Sequence, residues 1–225
     1  MNFLCHALPY LDQPVLAVCT GVPDFLSVID RKIRARGRMA TPFLHCDDPI
    51  TRDVAAGILA HIRDDHWFHG GETFVRMNLE FAVELRDRLP GDAGFRPTFV
   101  GHILIEMLLD ANYLLETPSL VDRYYDLFSE VPIASIQRSI NQITGKPSNQ
   151  IASTLGRFAE TKFLYDYASD ETLLVRLNQV MKRVGLAPLP PAVGDWLPQA
   201  RSQVRANHRR LLQEPGVAMR YVDLK

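Results

Sequence analysis

Apolar residues recur at helical spacing along almost the whole chain of 225 residues. Within residues 72–89, Phe74, Met77 and Phe81 fall three or four positions apart, which places them on one face of an amphipathic helix. Residues 98–115 are apolar nearly all round, a pattern typical of a central helix that is buried on most of its faces. No segment shows the sustained alternation of a β-strand, so the pattern predicts an all-α fold.

The local signals give roughly eight or nine helices. Thr51 can cap the helix that carries His61, and Gly70-Gly71 breaks it. The predicted helices cover residues 24–37, 51–70, 72–89, 98–115, 119–129, 133–143, 148–168, 171–184 and 196–212. We expect a single all-α domain over residues 1–225, in which residues 1–115 form a metal-site half and residues 116–225 a helical C-terminal half.

Composition and charge narrow the function classes. The formal net charge of -1 argues against general binding of nucleic acid, and no uninterrupted apolar run approaches the length of a membrane span. The N-terminus has no basic start before an apolar stretch, so it does not predict a secretory signal. Three scattered cysteines do not form a disulfide framework. These observations predict a cytoplasmic protein with no membrane or nucleic-acid partner.

Candidate metal ligands are concentrated in the first half of the chain. Two helices each stack imidazoles and carboxylates on one side, because residues four apart lie one above the other. Together with two upstream residues they supply eight candidate nitrogen and oxygen ligands for one buried point: His6, Asp24, His61, Asp65, His69, His102, Glu106 and Asp110. Asp65, Glu106 and Asp110 are also candidates for a general base or an orienting group. This inventory predicts a metal-dependent hydrolase.

Each of these residues also has an ordinary interpretation. A histidine on a helix is more often a surface or satisfied core residue than a ligand, and Asp–His pairs four apart also occur as simple helix-surface contacts. The helix of residues 98–115 favours a ligand role for its polar residues, because an unpaired charge in so apolar a segment costs several kcal/mol. Arg63 is a candidate for binding a substrate phosphate, or else a solvated helix arginine. Arg31 and Arg34 belong to a basic run that is either a docking face for an acidic partner or a solvated helix end.

Three segments resemble the motifs of bacterial acyl carrier protein phosphodiesterases, also called acyl carrier protein hydrolases. The opening MNFLCHAL, followed by Asp24-Phe25, is similar to the family's MNFLAHL start and its later Asp-Phe element. GILAH at residues 57–61, with Asp65, matches the spacing of the family's G-I-x-x-H-R-x-I-D motif, and HILIEMLL at residues 102–109 resembles its D-x-x-x-D-H-F-L element. The resemblance covers roughly residues 1–115.

The resemblance implies an all-α fold distantly related to the HD-domain phosphohydrolases, which hold one or two divalent ions between helices. It implies hydrolysis of the phosphodiester that joins 4′-phosphopantetheine to a serine of acyl carrier protein, usually with manganese or magnesium. His6, Asp24, His61 and Asp65 match the family pattern. The chain departs from it at His69, His102, Glu106 and Met107, as a divergent branch would.

The added imidazoles favour Mn, Fe, Ni or Zn over a pure Mg site. Three hypotheses follow for the function. The first is a metal-dependent phosphodiesterase that acts on acyl carrier protein or on another phosphoester. The second is a metal-dependent helical enzyme of another chemistry, such as an oxygenase-like or amide-hydrolysing one. The third is a non-catalytic binding protein with a relic of the site. The sequence leaves the oligomeric state open.

Overall fold

The computed structural model of the protein describes residues 1–89, 91, 94–221 and 224. Within these residues there are twelve α-helices and three short 3-10 segments but no β-strand, which confirms the all-α prediction. The α-helices are α1 (Phe3–Ala7), α2 (Pro14–Cys19), α3 (Val22–Ile29), α4 (Gly37–Ala40), α5 (Pro49–Gly70), α6 (Glu72–Arg88), α7 (Pro97–Glu116), α8 (Pro118–Glu130), α9 (Ile133–Thr144), α10 (Ile151–Thr161), α11 (Asp170–Arg183) and α12 (Pro191–Leu211). The eight helices from α5 onward correspond to predicted ones; α1, α2 and α4 were not predicted.

The predicted helix over residues 24–37 is wrong in its second half. α3 ends at Ile29 because Asp30 takes an extended conformation, with φ -156° and ψ 114°. The Asp30 side chain accepts a hydrogen bond of 2.8 Å from the backbone N–H of Lys32. Such a local bond offers the backbone an alternative to the next helical turn. Arg31 and Arg34 therefore lie exposed in a loop, not on a helix.

Three other boundaries differ from the prediction. α5 starts at Pro49. The carboxylate of Asp48 caps its first turn by accepting a hydrogen bond of 3.1 Å from the backbone N–H of Thr51. The prediction that Thr51 caps this helix is therefore wrong. α10 ends at Thr161 because Lys162 adopts a left-handed conformation, with φ 45°, which splits the predicted helix 148–168. α12 begins at Pro191, well before residue 196, since a proline fits the first position of a helix, where its missing N–H is not needed.

The helices group into two compact units that alternate along the chain. The first comprises Met1, residues 3–66 and residues 119–162, and the second comprises Asn2, residues 67–118 and residues 163–225. In the first unit Phe158 of α10 lies about 5 Å from the rings of Phe3, Phe25 and Phe128, which form an aromatic core. The single domain predicted over residues 1–225 stays a prediction.

The core of the second unit is built on α7. Its residues from Leu104 to Leu114 are buried without a break, as the apolar sequence predicted. Among the described residues α7 is the helix long and apolar enough to cross a membrane, and 72% of that apolar window is buried inside the protein, as in the core helix of a globular fold. The neighbouring α6 and α12 meet through Phe81 and Trp196, whose rings lie edge to face at 4.8 Å. α7 therefore provides a rigid base for Glu106.

Candidate metal centres

The first unit contains a cluster of His6, His61 and Asp65, called here the His6 triad. One ligand atom from each residue lies within 4.8 Å of the other two. His6 Nε2 lies 3.2 Å from Asp65 Oδ1, and His61 Nε2 lies 3.3 Å from Asp65 Oδ2. The two imidazoles stack with their ring centroids 4.1 Å apart. Asp65 thus presents one oxygen to each ring.

Two elements position this triad. α5 places His61 and Asp65 four residues apart on one side, and the short α1 supplies His6. α5 lies very close to α2 at Gly57, where an added Cβ would come within 2.7 Å of the carbonyl oxygen of Leu16. Gly57 lies one turn before His61, so the close contact between α5 and α2 at Gly57 also fixes the position of His61 along α5 relative to α2.

Three of the four imidazole nitrogens of the His6 triad lack hydrogen bonds within the described residues. His6 is fully buried and His61 is 5% exposed. Neither ring nitrogen of His6 makes a hydrogen bond within the described residues, and the same holds for Nδ1 of His61. A buried polar group left unsatisfied costs about 1–3 kcal/mol. A cation bound at the triad would satisfy Nε2 of His6, the orphaned nitrogen that faces Asp65, so this atom favours a metal site.

The charges around Asp65 favour its ionised form. Burial raises the pKa of Asp65, but the imidazoles of His6 and His61 and the N-terminal ammonium outweigh burial and hold its pKa well below its usual range. That ammonium, on Met1, lies 2.7 Å from Asp65 Oδ1. Burial and the ammonium lower the pKa of His6, while Asp64 and Asp65 more than compensate and raise it. Asp65 is therefore ionised and paired with the ammonium of Met1 and with the two imidazoles.

Asp64 lies behind the triad; the sequence left it open as either an ordinary surface residue or a group that supports the ligands, and its burial excludes the surface position. Its side chain is fully buried, and its Oδ2 lies 3.8 Å from Nδ1 of His6. Arg63 donates to Asp64 Oδ1 from Nη2 at 2.6 Å and to the Tyr10 hydroxyl at 2.7 Å. The missed signal is periodicity: Asp64 lies seven residues after Gly57 and three after His61, on the same inward face of α5.

The second unit contains a cluster of His69, His102 and Glu106, called here the His102 triad. His69 Nε2 and His102 Nε2 lie 2.8 Å and 3.1 Å from the same oxygen, Glu106 Oε1. The imidazole centroids are 4.5 Å apart. α7 supplies His102 and Glu106 four residues apart, and the end of α5 supplies His69. The side chain of His69 is 29% exposed, that of His102 is 33% exposed and that of Glu106 is 12% exposed.

Aromatic rings surround the His102 triad. The Phe74 ring lies 5.0 Å from His69 and 5.1 Å from His102, and Phe68 lies 5.2 Å from His69. Burial raises the pKa of Glu106, but the positive charge of the N-terminal ammonium, followed by the interactions with His102 and His69, outweighs burial and holds this pKa well below the usual range. Glu106 is therefore a carboxylate in an apolar wall, paired with both imidazoles.

The ligand separations suit a metal ion. At metal–ligand distances of about 2.0–2.2 Å and angles of 90–109°, neighbouring ligand atoms are about 2.8–3.6 Å apart. The four nitrogen–oxygen distances of the two triads run from 2.8 to 3.3 Å. Hydrogen bonds between imidazole and carboxylate span the same range, so the orphaned Nε2 of His6 carries more weight than the distances. Two imidazoles and one carboxylate form a common donor set for transition metals.

The eight predicted ligands do not form one group in the described residues. Six of them form the two triads. Asp24 lies half-buried in the first turn of α3, outside both. Asp110 is buried in α7 one turn beyond Glu106 and also lies outside both. Of the predicted substrate arginines, Arg63 is held by Asp64, while Arg31 and Arg34 lie exposed in the loop after α3.

The geometry is thus that of two triads with the same donor set, each on helices of one unit. Comparisons with models of protein families, with curated proteins and with solved structures found no match to this chain.

Proposed function

We propose that this protein is a metal-dependent hydrolase that cleaves a phosphoester, most specifically a phosphodiester. The observation that carries the proposal is the grouping of six imidazole and carboxylate side chains into two triads, in each of which three ligand atoms lie within 4.8 Å. Three protein ligands with room for water or substrate are the arrangement of catalytic zinc sites. Imidazole ligands favour Mn, Fe, Ni or Zn over Mg.

A divalent ion bound by such a triad can lower the pKa of a bound water to about 7 and neutralise charge on a phosphoryl oxygen. The residues of this chain prepare the site for that chemistry. Glu106 offers one oxygen to both imidazoles of its triad, and so aligns their Nε2 atoms. Asp64, fixed by Arg63, places a buried carboxylate oxygen 3.8 Å from Nδ1 of His6. Asp110 stays a candidate for a general base or an orienting group.

The two triads are suited to different tasks. A reacting centre must admit water and substrate, and the imidazoles of His69 and His102 are each about three-tenths exposed. The imidazoles of His6 and His61 are almost completely buried. We therefore assign hydrolysis to the His102 triad and a supporting, structure-stabilising ion to the His6 triad.

The more specific reading is a divergent acyl carrier protein phosphodiesterase with an HD-domain-like architecture. It is supported by the motif matches at His6, Asp24, His61 and Asp65, three of which lie together in the triad assigned above to the supporting ion. On this reading manganese is the first metal to test, acyl carrier protein is the partner, 4′-phosphopantetheine is the product and the cytoplasm is the location. The exposed Arg31 and Arg34 could bind the acidic partner.

The test is hydrolysis of bis(p-nitrophenyl) phosphate by protein purified without chelators and supplied with manganese. We expect turnover that His102→Ala reduces at least about 100-fold, since the variant removes one of three ligands. His66→Ala is the matched control, because His66 is an exposed histidine of α5 outside both triads. Full activity in His102→Ala, or absence of turnover in the metal-loaded protein, would contradict the proposal.

A second candidate function rests on the donor set itself. Two histidines and one carboxylate with open positions are also the ligands of non-haem iron oxygenases. This alternative predicts redox-active iron in the purified protein together with no phosphoesterase activity. Elemental analysis of the protein as purified, together with the phosphodiester assay, distinguishes the two, because only the oxygenase alternative predicts resident iron without phosphoesterase activity.

A further inference from the structure

A cavity of about 330 Å³ lies in the second unit, beside the His102 triad. Phe68 and Phe74 line it, and the same two rings flank the imidazoles of the triad. Trp67 adds a third aromatic side chain to the wall, and Leu211 of α12 an aliphatic one. Two aromatic side chains are thus common to the cavity lining and to the surroundings of the triad, while the triad residues themselves do not line the cavity.

The rim of the cavity carries charges that balance. Glu72 and Arg210 both line it and are both exposed, and neither makes an ion pair within the described part of the chain. One negative and one positive group leave the rim without net charge, so nothing in the cavity selects an anion. The charged part of a substrate would instead bind where a metal ion would be held, at the His102 triad.

The size and lining of the cavity indicate its occupant. A volume of about 330 Å³ is at the lower end for small-molecule pockets, so it suits one ring-sized group. Aromatic walls favour a flat apolar group, because aromatic rings attract each other in stacked or edge-to-face contacts. We propose that this cavity binds an aromatic or similarly flat apolar ester group of the phosphoester whose phosphate is held at the His102 triad. This inference rests on the proposed function.

The first test compares two substrates with one leaving group. Bis(p-nitrophenyl) phosphate and methyl p-nitrophenyl phosphate each consume one water and release p-nitrophenolate as a phosphorus–oxygen bond breaks. They differ only in the ester group that stays on phosphorus, an aryl or a methyl group. Relative to their uncatalysed rates, we expect kcat/KM to favour the aryl ester by at least about tenfold, the discrimination typical of an apolar pocket.

The variant Thr73→Phe fills the cavity, since Thr73 lines it from the first turn of α6. We expect this variant to lose the aryl preference while its rate with the methyl ester stays within about twofold of wild type. Val75→Phe is the control: the same side chain is introduced at an exposed position of α6 outside the cavity. An aryl preference that persists in Thr73→Phe, or is absent from the wild type, would overturn the inference.

A second test needs neither metal nor turnover. Trp67 lines the cavity, so p-nitrobenzyl alcohol, a neutral aromatic quencher, should give saturable quenching of its fluorescence in metal-free protein. We expect the quenching to persist in Val75→Phe and to disappear in Thr73→Phe and in Trp67→Phe, which retains only the buried Trp196. Quenching without phosphodiester turnover would refute the proposed function and support the cavity assignment. Turnover with neither quenching nor aryl preference would refute the cavity assignment alone.

Discussion

The two triads make a stoichiometric prediction that separates them from one shared centre. We expect elemental analysis to find two divalent ions per chain in the wild type, one in His61→Ala, one in His102→Ala and none in the double variant. The reason is that each triad supplies its own three ligands from within one compact unit. Removing an imidazole from one triad therefore leaves the other intact.

The thermal shift on adding metal follows from the same count. A ligand bound only by the native state stabilises it by about 2.7 kcal/mol at a free concentration of 100 Kd. For 225 residues the unfolding entropy is on the order of 0.47 kcal/mol/K, so each ion raises Tm by about 6 °C if the chain unfolds in one transition. We expect about 12 °C for the wild type, about 6 °C for each single variant and none for the double variant.

The comparison with and without metal is made within each variant. His61 is buried, so its replacement leaves a cavity that lowers Tm by itself, and the difference between metal-loaded and metal-free protein cancels that loss. His66→Ala should behave as the wild type. A single ion that both His61→Ala and His102→Ala abolish would refute two independent triads, and a wild type that gains no stability from manganese or zinc would refute metal binding.

Three further predictions concern the supports of the site. Gly57→Ala should lower the free energy of unfolding by about 1–3 kcal/mol, because its Cβ would lie 2.7 Å from a backbone oxygen of α2. Gly156→Ala is the control: a Cβ there would meet nothing within 4 Å, so this variant should raise the free energy of unfolding by about 0.5–1 kcal/mol. Urea denaturation measures both changes. Asp64→Asn should weaken zinc binding at the His6 triad about 10–100-fold in calorimetry and leave the His102 triad unchanged, whereas equal affinity would show that the contact with His6 is not used. The hydrogen bonds of Thr51 lower the pKa of Asp48, so the capping contribution should be full above the carboxylate's unfolded pKa of about 3.9 and be lost as the pH falls below that value through the lower folded pKa. The stability advantage of wild type over Asp48→Asn should shrink between pH 6 and pH 3, and a constant difference would contradict this sign.

The helices that could be predicted from the sequence are those with enough turns to show a period. α6 and α7 were placed to within one residue at each end because their apolar positions repeat over at least four turns. α1 and α2, with five and six residues, are too short to show a period, and they form because the fold buries them. The basic run after Asp30 had the composition of a helix end, but a side-chain hydrogen bond to the backbone of Lys32 ends α3 earlier.

The candidate site could be predicted as a set of residues but not as an arrangement. Helical spacing correctly paired His61 with Asp65 and His102 with Glu106, since that geometry lies within one helix. The third member of each triad comes from outside that pair, and its choice depends on how helices pack, which the period does not encode. His69 illustrates this. It lies four residues after Asp65 on α5, so the helical spacing predicted that it lies on the same side of the helix as His61 and shares its site. In the structure its Nε2 instead lies 2.8 Å from Oε1 of Glu106 on α7. A stripe on one long helix can therefore supply ligands to more than one centre, and only the packing partner of each turn decides which.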